Sequence, residues 1–233
     1  MVYCPHCQSK NINKSGMPPN GKKGNNKQNY LCCTCGKQFQ TEYKNQGANP
    51  VVKGYVQNAL CRNCGITDIK EIFKVSKPYI LNTLVNYAEN LEIKPQKQHY
   101  KSLQIDEFWT YVGSKKNKKW LLYAYCPENQ EVVDYVFGDR SEATIKSLYT
   151  KLAENHIIVD EFCTDKWRAF AKILPKNKHK IGKKYTKAIE GNNNYIRSRN
   201  RRTVRKTCGF SKKLENHEAA MKICIYCKNY NYC

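Results

Sequence analysis

Two short segments with the same spacing, "CPHC" at residues 4–7 and "CCTC" at residues 32–35, constrain the start of this chain more than any other feature. Each Cys-x2-Cys wraps a tight turn around one side of a tetrahedral ion, and two such turns supply four thiolates. Cys4, Cys7, Cys32 and Cys35 therefore read as a closed, structural Zn²⁺ site with no position left for water. The segment between them, "QSKNINKSGMPPNGKKGNNKQNYL", is polar and rich in Gly, Pro and Asn. It has no apolar stripe of its own, so the metal must supply much of the folding energy. Cys33 is a spare thiol, and His6 reads as a loop residue rather than a ligand. The expected first domain is a zinc ribbon over residues 1–47.

"CRNC" at residues 61–64 repeats the spacing in a different setting. Ile66, Ile69, Ile72 and Phe73 recur at helical spacing, as do Ile80, Leu81, Leu84 and Val85. Thr67 looks like a helix start, and "KVSKP" breaks the chain between two helices. This is a helix-turn-helix pattern over residues 48–95, with 77–89 as its recognition helix. Lys77, Tyr79 and Asn82 are its candidates to meet DNA. Cys61 and Cys64 then end the preceding helix as packing residues, the other reading being a second zinc site.

From Lys101 the period changes. "SLQIDEFWTYVG" (102–113), "WLLYAYC" (120–126) and "EVVDYVFG" (131–138) are joined by short polar turns and predict an antiparallel meander. A helix over 141–156 with Ser141 as N-cap follows, its stripe made by Ile145, Leu148 and Leu152. Then come a strand (157–165), a short helix (167–174), a short strand (179–182) and helices across 186–203 and 211–228. A meander followed by βα units gives a mixed sheet with helices on its faces. Ribonuclease H-like nucleotidyl transferases share this order. The expected fold class is thus α+β and multidomain: an N-terminal zinc ribbon, a helix-turn-helix, and a ribonuclease H-like mixed α/β domain over residues 96–233.

Charge narrows the partner. Forty-one Lys and Arg against nineteen Asp and Glu leave a net +22, which attracts polyanions, nucleic acid above all. The surplus is concentrated: residues 176–213 hold fourteen cations and one acid, Glu190. The longest apolar runs fall short of the roughly 20 residues a bilayer needs, so no membrane partner is expected. "MVYCPHC" lacks the apolar core of a secretory signal. Thirteen cysteines without such a signal point to reduced thiols and to a cytoplasmic, nucleoid-associated protein.

Three acids fall at informative places. Asp106 lies within the first strand of the meander, Asp165 ends the fourth strand, and Glu190 opens a helix. If the first and fourth strands are neighbours, the two aspartates meet at one edge of the sheet, and a helix packed across it can bring Glu190 to them. Three carboxylates meeting without cations would repel and raise one another's pKa. Mg²⁺ (or Mn²⁺) removes that conflict and keeps open positions for a phosphate. Glu190, Asn194, Arg197 and Arg201 follow at i, i+4, i+7 and i+11 on one helical face, so Arg197 is placed to hold a phosphate beside the ions. Lys183, Lys184, Arg199, Arg201, Arg202, Arg205 and Lys206 would track the DNA backbone without reading sequence. Trp109, Trp120 and Trp167 read first as core residues, with base stacking by Trp167 the alternative. His179 reads as a strand-edge residue or a phosphate contact, and Cys224 and Cys227 as core thiols of an amphipathic helix, with metal binding as the alternative.

"IDEFWTYVGSKKNKKWLLYA", "FGDRSEATIKSLYTKL", "CTDKWRAFAKILP" and "HKIGKKYTKAIEGNNNYIRSRNRRTVRKTCGFSK" strongly resemble the transposases of insertion sequence family one, and the ribbon and helix-turn-helix ahead of them look like that family too. The resemblance implies a DDE transposase in which Asp106, Asp165 and Glu190 match the triad and Arg197 the basic residue downstream. It also implies that the N-terminal modules bind the element's terminal inverted repeats. DNA strands would be cleaved and then joined to target DNA, with a homo-oligomer expected because two ends must be held together. Gly191 departs from the family, standing where a basic residue is usual. Two rivals remain: a non-enzymatic DNA-binding repressor of the same element, for which the first 95 residues would suffice, and a structure-specific nuclease on the same fold.

Overall fold

In the computed structural model, residues 2–16, 28–204 and 208–230 are described; Arg205 and Lys206 of the expected DNA track lie outside them. The chain divides into two units, residues 1–59 with 64–83, and residues 60–63 with 84–233.

The first unit opens with three short strands, β1 (Ile12–Lys14), β2 (Asn29–Cys32) and β3 (Gln38–Gln40), in one antiparallel sheet. Tyr30 stacks on the buried Phe39 at 5.6 Å, which with Cys4 and Cys32 makes a very small core. Three helices follow along the chain, α1 (Pro50–Cys61), α2 (Ile66–Phe73) and α3 (Lys77–Glu89), the last residues of α1 and of α3 belonging to the second unit. Each start has a local cause. Pro50 opens α1 with a preset φ, and the Asn49 side chain accepts the Val51 amide. The Ser76 hydroxyl accepts the Tyr79 amide at the head of α3. Between α2 and α3 the chain reverses through Lys74 at φ 54°. Val56, Ile69, Val75 and Ile80 are buried in this unit.

The second unit is built on a five-stranded mixed sheet. Its strands are β4 (His99–Tyr111), β5 (Lys118–Cys126), β6 (Glu131–Gly138), β7 (Ile158–Thr164) and β8 (His179–Ile181). Their order is β6-β5-β4-β7-β8; the first three are antiparallel, and β4-β7 and β7-β8 pair in parallel. Between the strands run α4 (Glu142–Glu154) and α5 (Arg168–Ile173), and after β8 come α6 (Lys187–Arg199) and α7 (Leu214–Asn229).

Alternation along the strands separates two cores. Leu103, Ile105 and Leu122 pack with Ile145, Leu148 and Phe170 of α4 and α5. Phe108, Leu121 and Tyr123 pack with Ile189 and Ile196 of α6 and with Met221 and Ile225 of α7. The result is helix, sheet, helix, each layer burying the apolar face of the next. Ser141 caps α4 as expected, its hydroxyl accepting the Thr144 amide. The expected helix across 186–203 stops at Arg199. There the Asn200 side chain accepts the Arg202 amide and turns the chain into a short 3₁₀ segment, Arg201–Thr203, so Arg201 leaves the helical face that carries Glu190. No helix among the described residues is long and apolar enough to cross a membrane.

Candidate active site

The β4-β7 pairing fixes where the two aspartates stand. Gln104 is opposite Cys163 in the last recorded pair of this parallel ladder. Asp106 and Asp165 are each two residues further on, level with one another and just past the end of the ladder. Asp106 accepts the Glu107 amide at Oδ1 (2.9 Å) and the Asn193 side-chain amide at Oδ2 (2.8 Å). Asp165 accepts the Trp167 amide at Oδ1 (2.9 Å).

The helix α6 is docked beside them in a regular step. The Gln104 side chain accepts the Ile189 amide (2.8 Å), Asp106 meets Asn193, and Phe108 lies under the Arg197 guanidinium at 4.1 Å. Two residues of strand advance about 6.8 Å and four of helix about 6.0 Å, so strand and helix keep pace. Tyr123 on β5 locks this arrangement. Its buried hydroxyl donates to Asn193 Oδ1 (2.8 Å) and accepts from Asn192 (3.1 Å). Glu190 stands one turn before Asn193 on the same side of the helix, exposed.

The electrostatics of this edge favour a cation. Burial, then the charges of Glu107 and Asp165, push the Asp106 carboxyl up to about 7, although the Glu107 and Asn193 amides pull it down. Glu107 is also raised, chiefly by burial, with Arg140 opposing and Asp165 adding to the shift. Carboxyls crowded together at one sheet edge, with oxygen as their only donor atoms, make a setting whose mutual repulsion a hard divalent ion would relieve. Among the described residues, the only group of three or more ligand atoms already gathered is that of the cysteines; Glu190 forms no such group with the aspartates.

That cysteine group is Cys4, Cys7, Cys32 and Cys35, with sulfurs within 4.8 Å of one another. Cys4–Cys35 and Cys7–Cys32 are 3.7 and 3.5 Å apart. A zinc–sulfur bond of about 2.3 Å implies a tetrahedron edge of about 3.8 Å, so the group fits a zinc ribbon. Burial opposes it, yet the Cys35 and Thr34 amides and the Cys7 thiol bring Cys32 down to about 6. Cys7 and Cys35 are raised in turn, by burial and by their neighbouring thiols, so a metal taken up by the four would displace protons from them. His6 is exposed and is no part of the group. Cys61 is half-buried and within 3.8 Å of the Tyr87 hydroxyl, Cys64 is exposed, and Cys227 is buried on α7.

The other expected residues fall into two sets. Lys77, Asn82, Lys183, Lys184, Arg199 and Arg201 are exposed. Tyr79 instead buries its hydroxyl and lays its ring against Gly47. Arg197 donates to the carbonyls of Trp109 and Thr203, and Arg202 turns inward to the Ser211 hydroxyl. His179 is bound to the Thr164 hydroxyl at 2.7 Å, at the sheet edge. Trp109, Trp120 and Trp167 are half-buried, each with a cation over its ring, rather than fully in the core. Sequence reasoning missed Asn193, Glu107, Arg140 and Tyr123. Only the adjacency of Glu107 to Asp106 offered a signal.

The family model described as IS1 transposase matches residues 102–231, more than half of the 233-residue chain. The protein InsB of insertion element iso-IS1n from Shigella dysenteriae is 39% identical over 115 residues, 49% of this chain and 86% of that protein. InsB of insertion element IS1 from Shigella flexneri is 36% identical over 127 residues, 54% of this chain and 95% of that one. Among solved structures, a chain of the simian T-cell lymphotropic virus intasome in complex with PP2A regulatory subunit B56 gamma gives a weak likeness. It has a TM-score of 0.39 at 9% identity, over 73% of this chain and 64% of that one. On the family match and the InsB identities, the chain belongs to the IS1 transposase family.

Proposed function

We propose that this chain is a DDE transposase that cleaves DNA at the ends of an insertion element and joins the freed ends to target DNA. In this reading residues 96–233 form a ribonuclease H-like catalytic domain, and Asp106, Asp165 and Glu190 would hold Mg²⁺ or Mn²⁺. When bound, such ions activate a water or a 3′-hydroxyl and stabilise the leaving oxygen. The observation that carries the proposal is the level placement of Asp106 and Asp165 across β4 and β7, with α6 docked alongside.

The chain's own groups then have distinct tasks. Asn193 and the Glu107 amide orient Asp106, and the Trp167 amide orients Asp165. Gln104 and Tyr123 hold α6 so that Glu190 stands one turn from Asp106's partner. Arg197 is a fixed positive charge along β4 rather than a mobile phosphate clamp, because two carbonyls and the Phe108 ring hold it. The exposed cations Lys183, Lys184, Arg199 and Arg201 supply salt-sensitive backbone affinity. The cysteine-bound zinc ribbon and a helix-turn-helix formed by α2 and α3 would bind the terminal inverted repeats, with Lys77 and Asn82 as the exposed candidates. Two ends joined in one reaction call for a homo-oligomer on DNA, acting at the nucleoid.

Asp165→Asn tests the reading. With Mg²⁺ and element-end DNA, the variant should lose both cleavage and joining while binding the ends as the parent does, by gel-shift titration. Joined products from Asp165→Asn would rule the triad out. Cleavage without joining by the parent protein would make it a nuclease instead, and end binding with neither step would leave a repressor.

A further inference from the structure

We propose that Arg140 is a positioning residue that ties the two aspartates together from the opposite face of the sheet, an inference that rests on the triad reading above. The ladder between β4 and β7 gives out at Gln104 and Cys163. No β4–β7 backbone bond is recorded at Asp106 and Asp165, so their spacing needs another constraint.

Alternation turns Glu107 to the side of the sheet away from Asp106. There its Oε1 accepts both Nε (2.7 Å) and Nη2 (2.6 Å) of Arg140. The same guanidinium lies 5.0 Å from the Trp167 ring and 5.4 Å from the Trp120 ring. Trp120 is on β5, and Trp167 is two residues beyond Asp165. The backbone amide of Glu107 holds Asp106, and the backbone amide of Trp167 holds Asp165. One cation therefore grips the side chains of the two residues whose amides orient the two aspartates. An arginine suits this task because its planar fork can meet a carboxylate and stack on indoles at once.

The turn that presents Arg140 is itself held. The Asp139 carboxylate accepts the Ser141 and Thr144 hydroxyls. Gly138 lets the strand end come close to α4, since a Cβ there would lie 2.5 Å from Thr144 Oγ1. Glu107 is 8% exposed and its Oε2 has no partner. Cutting the Arg140 link would thus free a buried acid beside the aspartates as well as loosen them.

The test is direct Mn²⁺ binding by electron paramagnetic resonance titration on the full, zinc-loaded chain, without DNA or turnover. Arg140→Lys keeps the charge but cannot span the carboxylate and both indoles. It should weaken Mn²⁺ binding roughly ten- to hundred-fold, with the circular dichroism spectrum unchanged. Arg140→Ala separates positioning from charge. Losing a nearby cation would by itself tighten metal binding, whereas losing the tie weakens it. Binding by either variant as tight as the parent's, or tighter, overturns the inference. Asp165→Asn is the independent control: if it titrates like the parent, the triad reading fails and takes this inference with it, whereas loss in Asp165→Asn alone condemns only the role of Arg140.

Discussion

Gly191 sits in α6 next to Glu190, and a Cβ built on it meets nothing within 4 Å. An exposed helical glycine with no close neighbour gives away backbone entropy for no packing gain. Gly191→Ala should therefore raise stability by about 0.5–1 kcal/mol, seen as a higher melting midpoint with strand cleavage unchanged. A lower midpoint would mean that this stretch needs the freedom of glycine. The three asparagines that follow show how much a sequence conceals at this scale. Asn192 is buried and bonds the Tyr123 hydroxyl, Asn193 bonds Asp106, and Asn194 is exposed. Nothing in "GNNNY" distinguishes them, because only the docking of α6 assigns each its neighbour. Arg140 is hidden for the same reason, being one cation among forty-one Lys and Arg. The acids were easier to find, since a carboxylate at a strand end or alone in a basic run stands out against its background.

Elements whose character is set locally were legible, and those set by their partners were not. The alternation of β4 to β6 and the stripe of α4 are written in their own residues. The strands β1 to β3 are three or four residues long and carry Asn, Lys and Gln. They take shape because the cysteine turns bring them together, so no period announces them. The end of α6 was missed because it depends on the Asn200 side chain, which also reaches Met221 on α7. The pairing of α6 with β4 depends on Tyr123, whose hydroxyl serves two asparagines. Tyr123→Phe would leave Asn193 Oδ1 and the Asn192 amide without their partner, at a cost of about 1–3 kcal/mol. The Asn193 amide would then be free to turn from Asp106. We expect a lower melting midpoint and a fall in cleavage larger than the loss of folded protein explains; parallel losses would reduce Tyr123 to a packing residue.

At the scale of the whole molecule, the N-terminal strands and the second unit draw their stability from different sources. Residues 84–230 bury two apolar cores on either face of a sheet. The N-terminal strands bury little beyond Phe39 and two cysteines, so on the zinc-ribbon reading a metal would hold them. Stripping zinc with a chelator should release amide protection over residues 2–16 and 28–40 and abolish binding to element ends. Protection of β4 to β7 should persist, as hydrogen-exchange mass spectrometry can read peptide by peptide. Retained protection at the N-terminus would show that the cysteines are not the fold's anchor. Asp106 and the Asn193 side-chain amide that helps orient it are 87 positions apart in the chain. On the catalytic reading, a polypeptide still emerging from the ribosome, or one released before α6 is made, carries both aspartates without the glutamate or the asparagine. Such a truncated product could occupy an element's ends without nicking them, so synthesis of the final fifth of the protein, from α6 onward, would decide when the genome is exposed to cutting.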